Sequence, residues 1–140
     1  MRRGELLSIR PESLFKYEIK VLHSVSPTSD YTSLKTQNAK RDVSINKDVY
    51  ELIRKISVKE NGYILGFGSF KQSEQLEELL TELNIKKTTF HGLRDTHASF
   101  LFAKDIDIAY VSKRLGHINI QTTQNYYLEL MPEKKAPARC

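Results

Sequence analysis

The sequence has few of the residues that build disulfide frameworks, metal centres and membrane spans. Its single cysteine, Cys140, is the last residue, and tryptophan is absent. One cysteine can form neither an internal disulfide nor a cysteine-based metal site, which suits a reducing compartment. No apolar run approaches the roughly 18 residues of a membrane-spanning helix, and the residues after Met1 lack the apolar core of a secretory signal. These absences predict a soluble, cytoplasmic protein.

Positive charge is in modest excess. Among 140 residues, 22 are lysine or arginine and 17 are aspartate or glutamate, which gives a net charge of +5. Apolar residues form 39% and charged residues 28% of the chain, a balance typical of a globular domain. The basic excess favours a polyanionic partner such as nucleic acid. The length predicts one domain over residues 1–132, followed by a polar, flexible tail over residues 133–140.

Hydrophobic periodicity predicts a mainly α-helical α+β fold with a small antiparallel sheet. Alternation from Phe15 to Val21 predicts one half-buried strand, residues 26–33 a polar loop, and residues 42–45 a returning strand. Apolar spacing and capping residues predict helices over residues 46–57, 73–83, 88–102, 108–115 and 121–130. Asn46 is predicted to cap the first of these helices and Gly116 to end the fourth. The residues before Arg10 resemble the end of a helix, so we expect the chain to begin inside its domain.

The densest group of reactive side chains lies in the sequence FHGLR at residues 90–94. His91 and Arg94 are three residues apart, so on a helix they share one face and can touch one ligand. Arginine makes bidentate, charge-assisted hydrogen bonds to phosphate, and a neighbouring imidazole can donate or relay a proton. Ordinary solvated helix faces also carry such pairs, so this spacing alone does not decide the function.

Two further features are consistent with an anion site. His117 follows Leu115 and Gly116 just beyond a predicted helix, and Tyr126 and Tyr127 follow nine and ten residues later. A tyrosine hydroxyl can act as a covalent nucleophile when hydrogen-bond donors stabilise the developing charge. Adjacent tyrosines on a short helix more often serve packing alone. No metal site is predicted, because the histidines have no cysteine or carboxylate partner at ligand spacing.

Five motifs in this order resemble the catalytic domain of the tyrosine recombinases, the phage-integrase family. They are Arg2-Arg3-Gly4-Glu5-Leu6, Leu34-Lys35-Thr36, His91-Gly92-Leu93-Arg94, Leu115-Gly116-His117 and the pair Tyr126-Tyr127. The resemblance implies a mainly helical domain with a small antiparallel sheet, which cuts one DNA strand through a 3′-phosphotyrosyl intermediate and rejoins it to a new partner. It implies integration or excision of a phage or other mobile element, without a metal or nucleotide cofactor.

The resemblance also implies roles for individual residues. The family's catalytic positions match Arg2, Lys35, His91, Arg94 and His117, and Glu5 matches the acidic residue that steadies the first arginine. Lys35 would be the general acid. The ending over residues 127–132 predicts Tyr127 as the nucleophile. Tyr126 is the alternative, because the Thr-Thr-Gln sequence at residues 122–124 favours it.

The resemblance further implies partners and limits. Double-stranded DNA is the implied substrate, and further recombinase subunits form a tetramer on paired sites in this family; no membrane partner is implied. The family's catalytic domain carries further helices before its first arginine motif, so we expect residues 1–132 to be an N-terminally truncated catalytic domain. Asp95 departs from the family, in which many members have a basic or polar residue at that position. An inactive DNA-binding remnant of an integrase is the alternative.

Overall fold

The fold combines short helices with two small antiparallel sheets. The computed structural model describes residues 1–26, 29–33, 39–65 and 71–132. Within these ranges the helices are α1 Arg3–Leu7, α2 Lys47–Arg54, α3 Gln72–Glu82, α4 Phe90–Ala103, α5 Ile108–Leu115 and α6 Ile120–Leu130. The strands are β1 Leu14–Phe15, β2 Glu18–Val21, β3 His23–Ser26, β4 Ser29–Ser33 and β5 Arg41–Ser44, and a 3₁₀ turn covers Pro11–Ser13. The predicted mainly helical α+β class is confirmed.

The larger sheet brings distant parts of the chain together. Its strand order is β1-β2-β5, and each pair is antiparallel. Ile19 lies opposite Val43, and Val21 lies opposite Arg41. All four side chains are buried, so one face of this sheet packs inward and carries an arginine among apolar residues.

Two predictions for the sheet region are wrong. The strand predicted from Phe15 to Val21 is a hairpin, because the chain turns at residues 16–17, where Tyr17 adopts a left-handed φ of 62°. Phe15 and Tyr17 are consequently exposed, and only Ile19 and Val21 of the alternating set are buried. The loop predicted over residues 26–33 contains strand β4, which pairs with β3 through backbone hydrogen bonds that side-chain polarity does not reveal.

The helix boundaries follow local capping chemistry. The side chain of Asn46 accepts the backbone N–H of Val49 at 2.8 Å and starts α2. Gly116 ends α5 in the left-handed conformation, with a φ of 69°. The apolar spacing in the sequence predicts a buried face for α2 and for α3, but α2 has no buried residue and α3 buries only Leu80.

The core between α4, α5 and α6 holds the helices that carry the candidate site. Its buried residues are Ala98, Phe102, Val111, Leu115 and Met131. Each large apolar side chain buried in this way contributes about 1.5–3 kcal/mol. A smaller cluster of Leu7, Val25 and Tyr63 joins α1 to β3. Another, of Ile9, Ile19 and Ile64, packs the segment after α1 against β2. In the described ranges, no helix is both long and apolar enough to cross a membrane.

Candidate active site

Helix α4 presents two predicted site residues at one cavity. The helix begins at Phe90 because the Thr89 side chain accepts the backbone N–H of Gly92 at 3.0 Å. His91 is exposed, whereas Arg94, one turn later, is 6% exposed. Both line a cavity of about 380 Å³, together with Arg2, Arg3, Ser73, Thr89 and Phe90. The structure therefore brings Arg2, His91 and Arg94 together.

The guanidinium of Arg94 is only partly satisfied. Its Nη2 donates to the carbonyl oxygen of Leu115 at 2.6 Å. Its Nη1 is buried and has no hydrogen-bond partner among the residues that the structure describes. Burial and the neighbouring charge of Arg2 lower the pKa of Arg94 to about 10, so it remains a cation at neutral pH. A buried cationic donor without a partner favours an anionic ligand.

Arg2 stands at the start of α1 and is tied to Glu5. The backbone N–H of Arg2 donates to Glu5 Oε2 at 2.7 Å, and Arg2 Nη1 donates to Glu5 Oε1 at 3.2 Å. The Arg2 side chain is 48% exposed, whereas that of Glu5 is 1% exposed. Glu5 thus holds the arginine at the cavity while leaving much of its guanidinium accessible, which fits the supporting role implied for Glu5.

Arg41 belongs to this network, although no sequence motif points to it. Its Nη1 and Nη2 donate to the two Glu5 carboxylate oxygens at 3.1 and 2.9 Å. Its Nε donates to the carbonyl oxygen of Arg114 at 2.9 Å, and Nη1 also donates to that of Ala39 at 2.9 Å. One signal could have identified it: Arg41 shares the buried face of β5 with Val43, and a buried arginine requires a carboxylate.

The Glu5 carboxylate is the shared partner of both arginines. Burial alone would raise the pKa of Glu5, but hydrogen bonds from Arg41 and Arg2 outweigh it and hold the pKa below its ordinary value. Glu5 is therefore ionised at neutral pH. The carboxylate joins β5, through Arg41, to the start of α1, through Arg2.

His117 lies just after the α5 terminus that receives both buried arginines. Its Nδ1 is 2.8 Å from Thr123 Oγ1. The rings of His117 and Tyr126 pack edge to face, with their centroids 5.5 Å apart. Burial, followed by the charges of Arg94, Arg2 and Arg41, lowers the pKa of His117 to about 4. Its imidazole is therefore neutral at pH 7 and lies within electrostatic range of the arginine cluster.

The adjacent tyrosines have different surroundings. The Tyr126 hydroxyl is buried and has no hydrogen-bond partner within the described ranges, and its ring meets His117. The Tyr127 ring packs edge-on against Phe102 of the helical core, with centroids 5.0 Å apart. Both rings pack against the core between α4, α5 and α6, but they meet different aromatic partners because adjacent helical residues differ in direction by about 100°.

The remaining predicted residues lie outside or at the margin of this cluster. Lys35 lies outside the described residues. The Asp95 carboxylate approaches His91, with Oδ1 3.5 Å from Nε2, a distance too long for a good hydrogen bond. In the described part of the chain, no three histidine, cysteine, aspartate or glutamate residues are grouped as metal ligands would be.

Comparison with known proteins identifies the family. Residues 1–133 match the model of the phage integrase family. The chain belongs to this family. Among its relatives, Transposase A from transposon Tn554 of Staphylococcus aureus is 32% identical over 150 residues, which cover 93% of this chain and 40% of that protein. The integrase of Staphylococcus phage L54a is 29% identical over 154 residues, which cover 91% of this chain and 44% of that protein.

Solved structures of other proteins share the fold. The Tn1549 transposon integrase in complex with circular intermediate DNA has a TM-score of 0.72 and 22% identity, and the match covers 99% of this chain and 52% of that one. XerA recombinase has a TM-score of 0.66 and 19% identity, and the match covers 98% of this chain and 52% of that one. The chain thus spans about half the length of these structures and less than half that of the two relatives above. The predicted family and fold are confirmed.

Proposed function

We propose that this chain supplies the strand-cleaving active site of a site-specific tyrosine recombinase that integrates or excises a phage or other mobile element. Residues 1–132 would form the catalytic domain, with double-stranded DNA as substrate. One observation carries the proposal: Arg2, His91 and Arg94 line a single cavity, and the buried Arg94 Nη1 has no partner among the described residues. A phosphodiester would supply the missing acceptor.

In the proposed reaction the arginines bind and neutralise the scissile phosphate. Planar guanidinium groups match phosphate oxygens in geometry and charge. The negative charge increases as the phosphorus becomes five-coordinate, so donors preorganised in a partly buried cavity stabilise the transition state more than the ground state. Removing one such donor typically lowers the rate about 10²–10³-fold.

We propose Tyr126 as the nucleophile and Tyr127 as the alternative. The sequence over residues 127–132 favours Tyr127. The buried hydroxyl of Tyr126, which has no partner among the described residues, and the packing of its ring against His117 support Tyr126. The tyrosine hydroxyl would give its proton to water, and its oxygen would bond to phosphorus while the bond from phosphorus to the 5′ oxygen breaks. Lys35 would protonate that oxygen, as the family resemblance implies. Rejoining reverses these steps, and because one phosphate ester replaces another, no nucleotide cofactor is required.

The cellular setting follows from the same proposal. The net charge of +5 supports binding to the DNA backbone, with an affinity that falls steeply as salt rises. Further recombinase subunits would assemble as a tetramer on paired sites, in the cytoplasm of a bacterial host.

Trapping a covalent protein–DNA adduct on a nicked suicide duplex tests the proposal. We expect the wild-type chain and Tyr127→Phe to form the adduct, and Tyr126→Phe to bind DNA equally well without forming it. The two variants control for each other, since each removes one hydroxyl from neighbouring positions on α6. The reverse pattern would assign the nucleophile to Tyr127. Adducts surviving both changes would exclude the tyrosine mechanism, and a wild-type chain that binds DNA without any adduct would be the inactive remnant.

A further inference from the structure

Thr123 places a hydroxyl group in a fully buried position beside His117. The residue lies in the first turns of α6 and is 0% exposed. Its Oγ1 is 2.8 Å from His117 Nδ1. The contact spans the turn between α5 and α6, so it can fix the orientation of the imidazole ring relative to the helix that carries Tyr126.

The direction of this hydrogen bond follows from the other partners of the hydroxyl. Threonine hydroxyls within helices commonly donate to the carbonyl four residues earlier, as Thr81 does to Glu77 and Thr96 does to Gly92. Thr123 makes no such bond, and within the described ranges His117 Nδ1 is its hydroxyl's sole partner. If Nδ1 carried a hydrogen, the hydroxyl would accept it, and the hydroxyl's own hydrogen would remain buried without an acceptor. That arrangement is unfavourable.

We propose that Thr123 is a positioning residue that donates its hydroxyl hydrogen to His117 Nδ1 and thereby holds the imidazole as the tautomer with its hydrogen on Nε2. A neutral imidazole carries one N–H, and its opposite nitrogen can only accept. The lowered pKa of His117 keeps the ring neutral at pH 7, so the tautomer decides its chemistry.

The consequence for the site rests on the proposed function. His117 lies within electrostatic range of Arg94 but is not among the residues that line the arginine cavity. With hydrogen on Nε2, it would offer a donor to a phosphate bound by Arg94, in addition to the guanidinium groups. With hydrogen on Nδ1, Nε2 would instead present a lone pair, which repels phosphate oxygens. Thr123 therefore makes His117 a hydrogen-bond donor to the phosphate rather than a base for the tyrosine.

Nitrogen NMR of ¹⁵N-histidine-labelled chain at pH 7 tests the tautomer without requiring activity. We expect wild-type His117 to carry its hydrogen on Nε2, with Nδ1 showing the shift of a hydrogen-bonded acceptor. Thr123→Ser should preserve this spectrum, and Thr123→Val should move the Nδ1 resonance and introduce the other tautomer. A wild-type hydrogen on Nδ1, or a Thr123→Val spectrum identical to that of the wild type, would overturn the proposal.

Single-turnover cleavage of the suicide duplex tests the consequence. We expect Thr123→Val to cleave about tenfold more slowly at unchanged DNA affinity, the size of effect typical for a group that orients a functional histidine. Thr123→Ser should restore the rate, and Thr81→Val, which alters an exposed threonine of α3, should leave it unchanged. In a His117→Ala background, Thr123→Val should have no further effect.

An equal loss in that background would show that Thr123 does not act through His117, and would overturn the proposal. If the wild-type chain forms no adduct, the proposed function fails, and the NMR measurement still decides the tautomer.

Discussion

Two arginines of similar burial, Arg41 and Arg94, have opposite hydrogen-bonding states. Arg41 is 7% exposed and donates to both oxygens of Glu5 and to two backbone carbonyls. Arg94 is 6% exposed, donates once to Leu115, and keeps Nη1 buried without a partner in the described part of the chain. The first guanidinium is satisfied by the fold, and the second remains available to a ligand.

The two arginines nevertheless anchor to the same place. Arg41 Nε bonds the carbonyl of Arg114, and Arg94 Nη2 bonds that of Leu115, at the negative end of the α5 dipole. One helix end thus orients both cations, while Glu5 and the carbonyl of Ala39 accept hydrogen bonds from Arg41 alone of the two. Burial alone therefore does not distinguish a structural arginine from a candidate phosphate-binding arginine. The hydrogen-bond acceptors around each guanidinium do.

Removing the satisfied arginine should have the largest effect on stability. Arg41→Ala leaves the Glu5 carboxylate buried, with Arg2 as its one remaining charged partner among the described residues. Breaking a buried ion pair in this way costs about 3–5 kcal/mol. Denaturant unfolding measures the loss. Arg54→Ala, at an exposed position on α2, is the matched control and should stay within about 0.5 kcal/mol. A loss below about 1 kcal/mol for Arg41→Ala would mean that the Glu5 network does not stabilise the fold.

Removing the unsatisfied arginine should affect cleavage instead. Arg94→Ala should lower the rate of covalent adduct formation about 10²–10³-fold, equivalent to about 2.7–4 kcal/mol of transition-state stabilisation. Its free energy of unfolding should fall by less than about 1.5 kcal/mol, because one hydrogen bond is lost and an unsatisfied buried charge is removed with it. Arg94→Lys keeps the charge without the planar fork and should not restore the rate. Equal destabilisation by Arg94→Ala and Arg41→Ala would erase the distinction between them.

The close approach of Arg41 to Gly116 offers a finer test. A Cβ on Gly116 would lie 2.6 Å from Arg41 Nη1, whereas a Cβ on Gly62 would meet no atom of the described residues within 4 Å. Both glycines have a positive φ, 69° and 84°, so alanine strains the backbone at each. Gly116→Ala should therefore lower the free energy of unfolding by about 1–3 kcal/mol more than Gly62→Ala, because the new methyl group displaces the Arg41 guanidinium. Similar losses of unfolding free energy would indicate that Arg41 moves aside freely.

The smallest expected effect is the influence of Arg94 on His117. The pKa of His117 is lowered from 6.5 to about 4 by burial first and by Arg94 second. Since the unfolded state binds the proton more readily, stability should fall as pH drops from 6.5 to 4. Arg94→Gln should raise the His117 pKa while leaving it below 6.5, and should weaken this pH dependence. NMR titration gives the pKa and urea unfolding the stability; an unchanged pKa would place His117 outside the electrostatic range of Arg94.

Local sequence rules predicted the features that depend on neighbouring residues. Asn46 caps α2 and Gly116 ends α5 as expected, because capping needs only a side-chain oxygen or a missing Cβ at the right position. The same local rules failed at Tyr17, where a non-glycine residue in the left-handed conformation turns the chain. They also failed at β4, whose polar residues pair through backbone groups that every residue carries.

The candidate site divides in the same way between local and distant determinants. The spacing of His91 and Arg94 was enough to predict that they share a face of α4, and both line one cavity. The surroundings of Tyr126 and Tyr127 depend on how α6 is rotated against α4 and α5, which sequence spacing from His117 leaves open. Packing of Tyr127 on Phe102 and of Tyr126 on His117 is a property of the assembled core.

By itself, the sequence determined the family, the fold class and the order of the motifs, because these rest on residue identity and on helical periodicity. The tertiary structure alone decided which arginine is satisfied and which remains available. Arg41 meets Glu5 across 36 residues and the Arg114 carbonyl across 73, while Arg94 meets Leu115 across 21. Guanidinium groups are chemically identical along the chain, so only the folded arrangement of distant acceptors gives each one its role.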